Sequence, residues 1–132
     1  MLERALSELR AGAKRGHWMW FVFPQLEGLG SSPTSRRYAL SGLAEARAYA
    51  ADPVLGPRLV QCCEALLELA PAASADGVLG SIDALKLRSC ATLFARAVPE
   101  QPAFERLRAR FYDGVADPVT VRLLVMTDEQ DG

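Results

Sequence analysis

Lys14-Arg15-Gly16-His17-Trp18-Met19-Trp20-Phe21-Val22-Phe23-Pro24-Gln25 holds both tryptophans, the one histidine, and two of the five phenylalanines of the chain. Its centre, Trp18 to Phe23, is an apolar run that could pass for a buried strand. A strand needs a partner, and none is on offer. No other segment keeps a period of two over four residues, and no Asn-Gly or Asp-Gly turn joins two β-branched runs. The Asp76-Gly77 and Asp113-Gly114 pairs stand at helix ends. The run therefore reads as a short buried helix stopped by Pro24, because proline removes a donor and clashes with the preceding turn.

Working outward, the punctuation is helical. Leu2, Leu6 and Leu9 give the first dozen residues one apolar face. Ser32-Pro33, Asp52-Pro53 and Asp117-Pro118 read as N-caps followed by proline in the first turn, and Asp83 is a candidate cap for the segment after it. From Pro53, the residues Leu55, Leu59, Cys62 or Cys63, Leu66 and Leu69 recur at helical spacing until Pro71. Ile82, Leu85, Cys90, Leu93, Phe94 and Ala97 form a second stripe that ends near Pro99. Phe104, Leu107 and Phe111 form a third, with Arg106, Arg108 and Arg110 on the wet side. Val119 to Met126 is a short final helix, and Ala70 to Gly80 a loose, alanine-rich connection. With no repeat and no linker, the chain is expected to be one all-α domain over residues 1–132, built from six to eight short helices.

At 132 residues the chain is long enough to bury a core without staples. Half of it is hydrophobic and the net charge is −1, which excludes disorder and gives no bulk attraction to nucleic acid. Charge is uneven: Arg4, Arg10, Lys14, Arg15, Arg36 and Arg37 outnumber Glu3, Glu8 and Glu27 in the first forty residues. Cys62, Cys63 and Cys90 are an odd set with two neighbours, unsuited to a disulfide framework. They read as free thiols of a reducing cytoplasm. No Cys/His spacing fits zinc, and the carboxylates are scattered, so neither metal nor cofactor is expected. The N-terminus lacks a signal-peptide stretch, and the longest apolar run falls far short of the ~20 residues of a membrane helix.

The motif run, together with Gly28-Leu29-Gly30-Ser31-Ser32-Pro33, Arg37-Tyr38, Leu55-Gly56-Pro57-Arg58-Leu59, Asp83-Ala84-Leu85-Lys86-Leu87-Arg88-Ser89 and Thr92-Leu93-Phe94-Ala95-Arg96-Ala97, resembles the bacterial domain of unknown function 1810 family. The resemblance spans nearly the whole chain. It implies a compact, solenoid-like set of short helices and carries no catalytic assignment. Relative to that family, a further N-terminal helix with a Phe-Val pair is absent, and Cys90 stands where a second serine is usual.

Chemistry is open to several readings. Gly28 to Pro33 is a glycine-bearing loop that feeds a helix start, where unpaired N–H groups and hydroxyls favour anions. Gly30, Ser31, Ser32 and Arg37, with Lys14, His17, Trp18 and Gln25 upstream, are the candidate ligand-binding residues for a small anionic, phosphate-bearing or nucleotide-like molecule. The alternative is that the glycines only turn the chain, Ser32 only caps and the arginines are solvated. His17, Lys86 and Ser89 are the catalytic candidates. Histidine is the side-chain type suited to general acid or base work, and Lys86 and Ser89 share a helix face at i, i+3. Against them, His17 suits a core edge, Lys86 suits an ion pair with Asp83, and Ser89 suits a back-bond to its helix. Three functions follow: an anion-binding domain, a hydrolase-type enzyme at the same place using His17 or Lys86, or an interaction module whose motifs are all packing.

Overall fold

A computed structural model describes residues 2–30 and 32–131, with side chains through Met126. The described residues form nine helices: α1 (Leu2–Ala11), α2 (Met19–Val22), α3 (Pro33–Tyr38), α4 (Leu43–Ala51), α5 (Leu55–Leu67), α6 (Ala75–Leu79), α7 (Ser81–Ala97), α8 (Ala103–Tyr112) and α9 (Pro118–Asp131). The decisive run is helical, as its lack of a strand partner requires. Trp18, Met19, Trp20, Val22 and Phe23 are all buried. The one β-like contact among the described residues is an isolated parallel bridge, Leu26 to Leu40, which ties the loop after α2 to the end of α3.

α7 is the axle of the domain, packing against α4, α6, α8 and α9. Its buried face carries Ala84, Leu87, Cys90, Ala91, Phe94 and Ala97. Two residues expected in its apolar stripe are not there: Ile82 is 72% exposed and Leu85 57% exposed. The rest of the stripe, Cys90, Leu93, Phe94 and Ala97, is buried as expected; only the first turns of α7 differ, where Ala84 and Leu87 face inward in place of Ile82 and Leu85. Phe94 stacks on Phe104 with centroids 5.2 Å apart, joining α7 to α8.

Among the described residues, nine helices are one more than the upper end of the expected range, and two of them, α4 and α6, fall where the sequence reading places no helix. α4 lacks an apolar stripe, since its only buried residue is Ala46. α6 lies inside the stretch read as a loose connection; Ser74 starts it by accepting a hydrogen bond from the Gly77 N–H. Asp52 is not the N-cap of α5: it closes α4, and its carboxylate takes the N–H groups of Val54 and Leu55 in the turn between the helices, so α5 begins at Leu55 rather than at Pro53. Asp83 lies inside the first turn of α7, not ahead of it. Asp117 does cap α9, through the Thr120 N–H at 2.9 Å. Arg110 is not on a wet face. Its guanidinium donates to the carbonyls of Leu66, Leu67, Leu69 and Ala70, satisfying the open C-terminal end of α5.

All three cysteines are free and buried. Burial pushes the Cys62 thiol up to about 11 and the Cys63 and Cys90 thiols well above their ordinary value. A thiol that cannot ionise is a poor nucleophile. Native protein is therefore expected to react slowly with a thiol-specific disulfide reagent at pH 8, and all three thiols should react at once in denaturant. A thiol that reacts rapidly in native buffer would contradict this burial.

Candidate functional site

The loop between α1 and α2 is shaped by one carboxylate. Gly12, at φ +74°, turns the chain out of α1, and the Lys14 N–H donates to the Val78 carbonyl at 2.8 Å. Glu8 then gathers the donors of the next turn. Its Oε1 accepts from the N–H groups of Arg15 (2.6 Å) and Gly16 (2.9 Å) and from the Trp18 indole Nε1 (3.0 Å). Its Oε2 takes the Arg4 Nε at 3.0 Å. Hydrogen bonds from Arg15, Gly16 and Trp18, with Arg4 assisting, outweigh desolvation and lower the Glu8 carboxyl to about 2. Gly16 has to be glycine, because a Cβ there would lie 2.9 Å from Cδ1 of the Trp18 ring.

Because the folded carboxyl titrates below its unfolded value, its stabilising contribution is complete above about pH 4.5 and is lost as pH falls toward 2. Glu8→Gln should accordingly melt below the parent at pH 7, with the gap closing through that window. A gap independent of pH would show that the charge is not what anchors the loop.

On that loop sits a buried lysine. Lys14 has a side chain only 8% exposed, and its Nζ donates to the Gly16 carbonyl (2.5 Å) and pairs with Asp83 Oδ2 (2.8 Å). The ammonium also lies 5.0 Å from the Trp18 ring centroid. The other oxygen of Asp83 takes Lys86 Nζ at 3.3 Å. Burial alone would raise the Asp83 carboxyl, but hydrogen bonds and charge from Lys14 and Lys86 hold it below its ordinary value. Both lysines of the chain thus meet on one carboxylate.

They also meet over a pocket of about 280 Å³. Lys14 and His17 enter it from the loop, Asp83 and Lys86 from α7, and Ser32 and Thr34 from the start of α3. Met19, Trp20 and Phe21 of α2 form its apolar wall. Ser32 also caps α3, accepting from the Ser35 N–H at 3.1 Å. Formally the pocket carries two ammonium groups against one carboxylate. The His17 side chain is exposed and has no hydrogen-bond or ion-pair partner among the described residues.

A model of the family described as protein of unknown function (DUF1810) matches residues 1–124. The chain belongs to this family. Its fold is also that of the conserved hypothetical protein Rv1873 from Mycobacterium tuberculosis, whose crystal structure superposes with a TM-score of 0.90 at 50% identity, covering 93% of this chain and 87% of that one. No curated protein matches the chain.

In this DUF1810 chain the polar residues of the motifs divide sharply. Lys14, His17, Ser32 and Lys86 converge on the pocket, and Trp20, Phe21, Thr34 and Asp83 join them. The others do not line it. Trp18 is 2% exposed and serves the core, leaving its edge to a neighbouring hollow shared with Arg4, Gly16 and His17. Trp20, not Trp18, supplies the indole wall. Gln25 is buried, with its Nε2 3.5 Å from the Phe23 carbonyl and its own backbone carbonyl accepting from Leu40. Gly30 has a packing reason, since a Cβ would lie 2.6 Å from Ser35 Oγ and 2.9 Å from Trp20 Cζ2. Arg37 is exposed and lies 5.5 Å over the Tyr38 ring. Ser31 falls outside the described residues. Ser89 turns away from Lys86, its hydroxyl donating to the Leu85 carbonyl at 3.1 Å.

Thr34 and Glu8 escaped the sequence reading. Thr34 carried a weak signal, sitting two residues past a cap. Glu8 carried none, because its partners are backbone N–H groups that no residue pattern records.

No helix among the described residues is long and apolar enough to cross a membrane, and no group of His, Cys, Asp and Glu among them could hold a metal ion.

Proposed function

We propose that the pocket between the α1–α2 loop, α3 and α7 binds a small anionic ligand, a phosphate or carboxylate group. The observation that carries this reading is the convergence of Lys14, His17, Ser32 and Lys86 from separate stretches of sequence into one pocket with an excess of positive charge. Lys86, still 31% exposed, is the accessible ammonium, while Lys14 lies deeper and fixes Asp83. Ser32 and Thr34 add hydroxyl donors. The Trp20 and Phe21 wall suits a sugar or a ring attached to the anion. The size favours a phosphate with one such group rather than a whole dinucleotide.

His17, exposed at the pocket and free of partners, favours a second reading, in which the same pocket performs a hydrolase-type proton transfer. Lys86 and Ser89 do not support it as a dyad, given the direction of the Ser89 hydroxyl. The three buried, unpaired thiols support a reducing, cytoplasmic setting.

Inorganic phosphate, ribose 5-phosphate, AMP and ADP-ribose should be compared by thermal shift and calorimetry. A ligand confined to the folded state adds about 2.7 kcal/mol of stability at a hundredfold excess over Kd. Lys86→Ala should abolish that increment and Arg37→Ala should leave it intact. In a binding domain His17→Gln changes affinity modestly; in an enzyme it removes turnover while binding persists. Failure of all four anions to stabilise the protein would remove this reading and leave an interaction module.

A further inference from the structure

A second hollow, larger than the lysine pocket, lies elsewhere. It is about 820 Å³ in volume and lies where α4, α5, the end of α7 and the start of α8 meet. Pockets of this size hold whole small molecules. Its floor is apolar: Leu59 and Phe104 are each 1% exposed, and Val60, Val98 and Pro57 complete it. Around this floor stand two cations, Arg47 and Arg96, and two anions, Glu64 and Glu100. Among the described residues none of the four is in an ion pair, and only Arg47 makes a side-chain hydrogen bond, from Nε to the Ala97 carbonyl at 3.0 Å. That bond fixes the guanidinium plane and leaves both terminal nitrogens available to a carboxylate in the bidentate geometry arginine favours.

The four charges come from different elements, Arg47 from α4, Glu64 from α5, Arg96 from α7 and Glu100 from the turn after it. Arg47 and Arg96 stand where α4 meets the end of α7, since Arg47 binds the carbonyl of Ala97. Glu64 stands on α5. The stretch of α5 that faces the hollow begins at Gly56, against Ala50 of α4, and reaches Glu64 eight residues on, about 12 Å along the helix axis. An extended tripeptide spans about 10 Å. A ligand that satisfies this ring of charges over an apolar floor has a carboxylate, an apolar body of about the length of that stretch and an ammonium group.

We propose that this hollow binds a short apolar peptide with free termini, its carboxylate on Arg47 and Arg96, its side chains on Leu59, Val60 and Phe104, and its ammonium toward Glu64. The site is distinct from the lysine pocket and does not depend on its function.

The test is calorimetric titration of the protein with alanyl-valyl-leucine in three forms: free, C-terminally amidated and N-acetylated. The free peptide should bind one to one. Amidation should weaken it at least about tenfold, the loss of one charge-assisted pair, and acetylation should weaken it by a smaller factor. Arg96→Met and Arg47→Met should reduce the free peptide to the level of the amidated one. Glu64→Gln should erase the effect of acetylation, and Val60→Arg should block all three forms while the helical circular dichroism persists. If Arg47→Met fails to fold, Arg96→Met still decides the carboxylate contact. Equal binding of the three forms would overturn the proposal, and so would absence of saturable binding. A concentration-dependent dimer dissolved by Val60→Arg would also overturn it, making a second copy of this chain the occupant.

Discussion

Gly56→Ala is expected to destabilise the domain by about 3 kcal/mol and to lower its melting temperature by roughly 10 °C. Gly56 is buried at the start of α5, and a Cβ built there would lie 2.1 Å from the Ala50 carbonyl oxygen and 2.9 Å from its carbon. The obstacle is backbone, so no change of rotamer relieves it. Only separation of α4 from α5 would, and both pack on the core through Ala46, Leu59 and Cys63. A control isolates the steric cause. Gly80 has φ +86° with nothing within 4 Å of its missing Cβ, so Gly80→Ala meets only backbone strain, about 1–3 kcal/mol. Urea denaturation of both variants measures the difference. Gly56→Ala unfolding at the parent midpoint would mean that α4 and α5 do not approach as described. Since Ala50, Ala51, Gly56 and Pro57 also wall the larger hollow, the same substitution should deform that site.

The contrast between Gly56 and Ile82 shows what the residues announced. Helical class, the burial of the run Trp18 to Phe23 apart from the half-buried Phe21, the caps at Ser32 and Asp117, and the free thiols follow from rules local to a few residues: proline placement, capping chemistry, and the absence of strand partners. Ile82 and Leu85 misled because a stripe read at helical spacing is indifferent to which side faces inward when small residues fill the alternative face. α7 buries Ala84 and Leu87 in its first turns while Cys90, Leu93, Phe94 and Ala97 keep the expected face, and which side the first turns cover depends on helices distant in sequence. For the site, Lys14, His17, Ser32 and Lys86 were recognisable as polar residues in apolar surroundings. Their meeting point was not, because α7 and the α1–α2 loop are brought together by Asp83 bridging two lysines. Arg37 looked equivalent to Lys86 by charge and motif, yet α3 carries it to the outside. Gly30, read as a ligand loop, answers instead to the bulk of Trp20 and Ser35.

Asp83→Asn is expected to have two effects of opposite sign. On stability it is unfavourable, because Lys14 keeps a side chain 8% exposed and loses the carboxylate that compensates its charge. Removing one partner of a fully buried pair costs roughly 3–5 kcal/mol; with Asp83 still 17% exposed, about 2 kcal/mol is expected here. The folded Asp83 carboxyl is held below its ordinary value by the two lysines, so this contribution is complete above the ordinary carboxylate range and fades as pH falls below it. Parent and variant should converge in acid. The double variant Lys14→Met/Asp83→Leu, which removes both charges, should be closer to the parent at pH 7 than Asp83→Asn alone. On ligand binding the substitution is favourable, since it removes the one carboxylate that lines the lysine pocket among the described residues. One fewer negative charge about 4 Å away is worth ~1 kcal/mol in water-like surroundings, so phosphate should bind roughly fivefold more tightly. Thermal melts with and without phosphate read both effects on one sample. If Asp83→Asn weakens phosphate binding in a protein that remains folded, Asp83 orients Lys86 for the anion rather than competing with it, and the charge excess is not what draws the ligand.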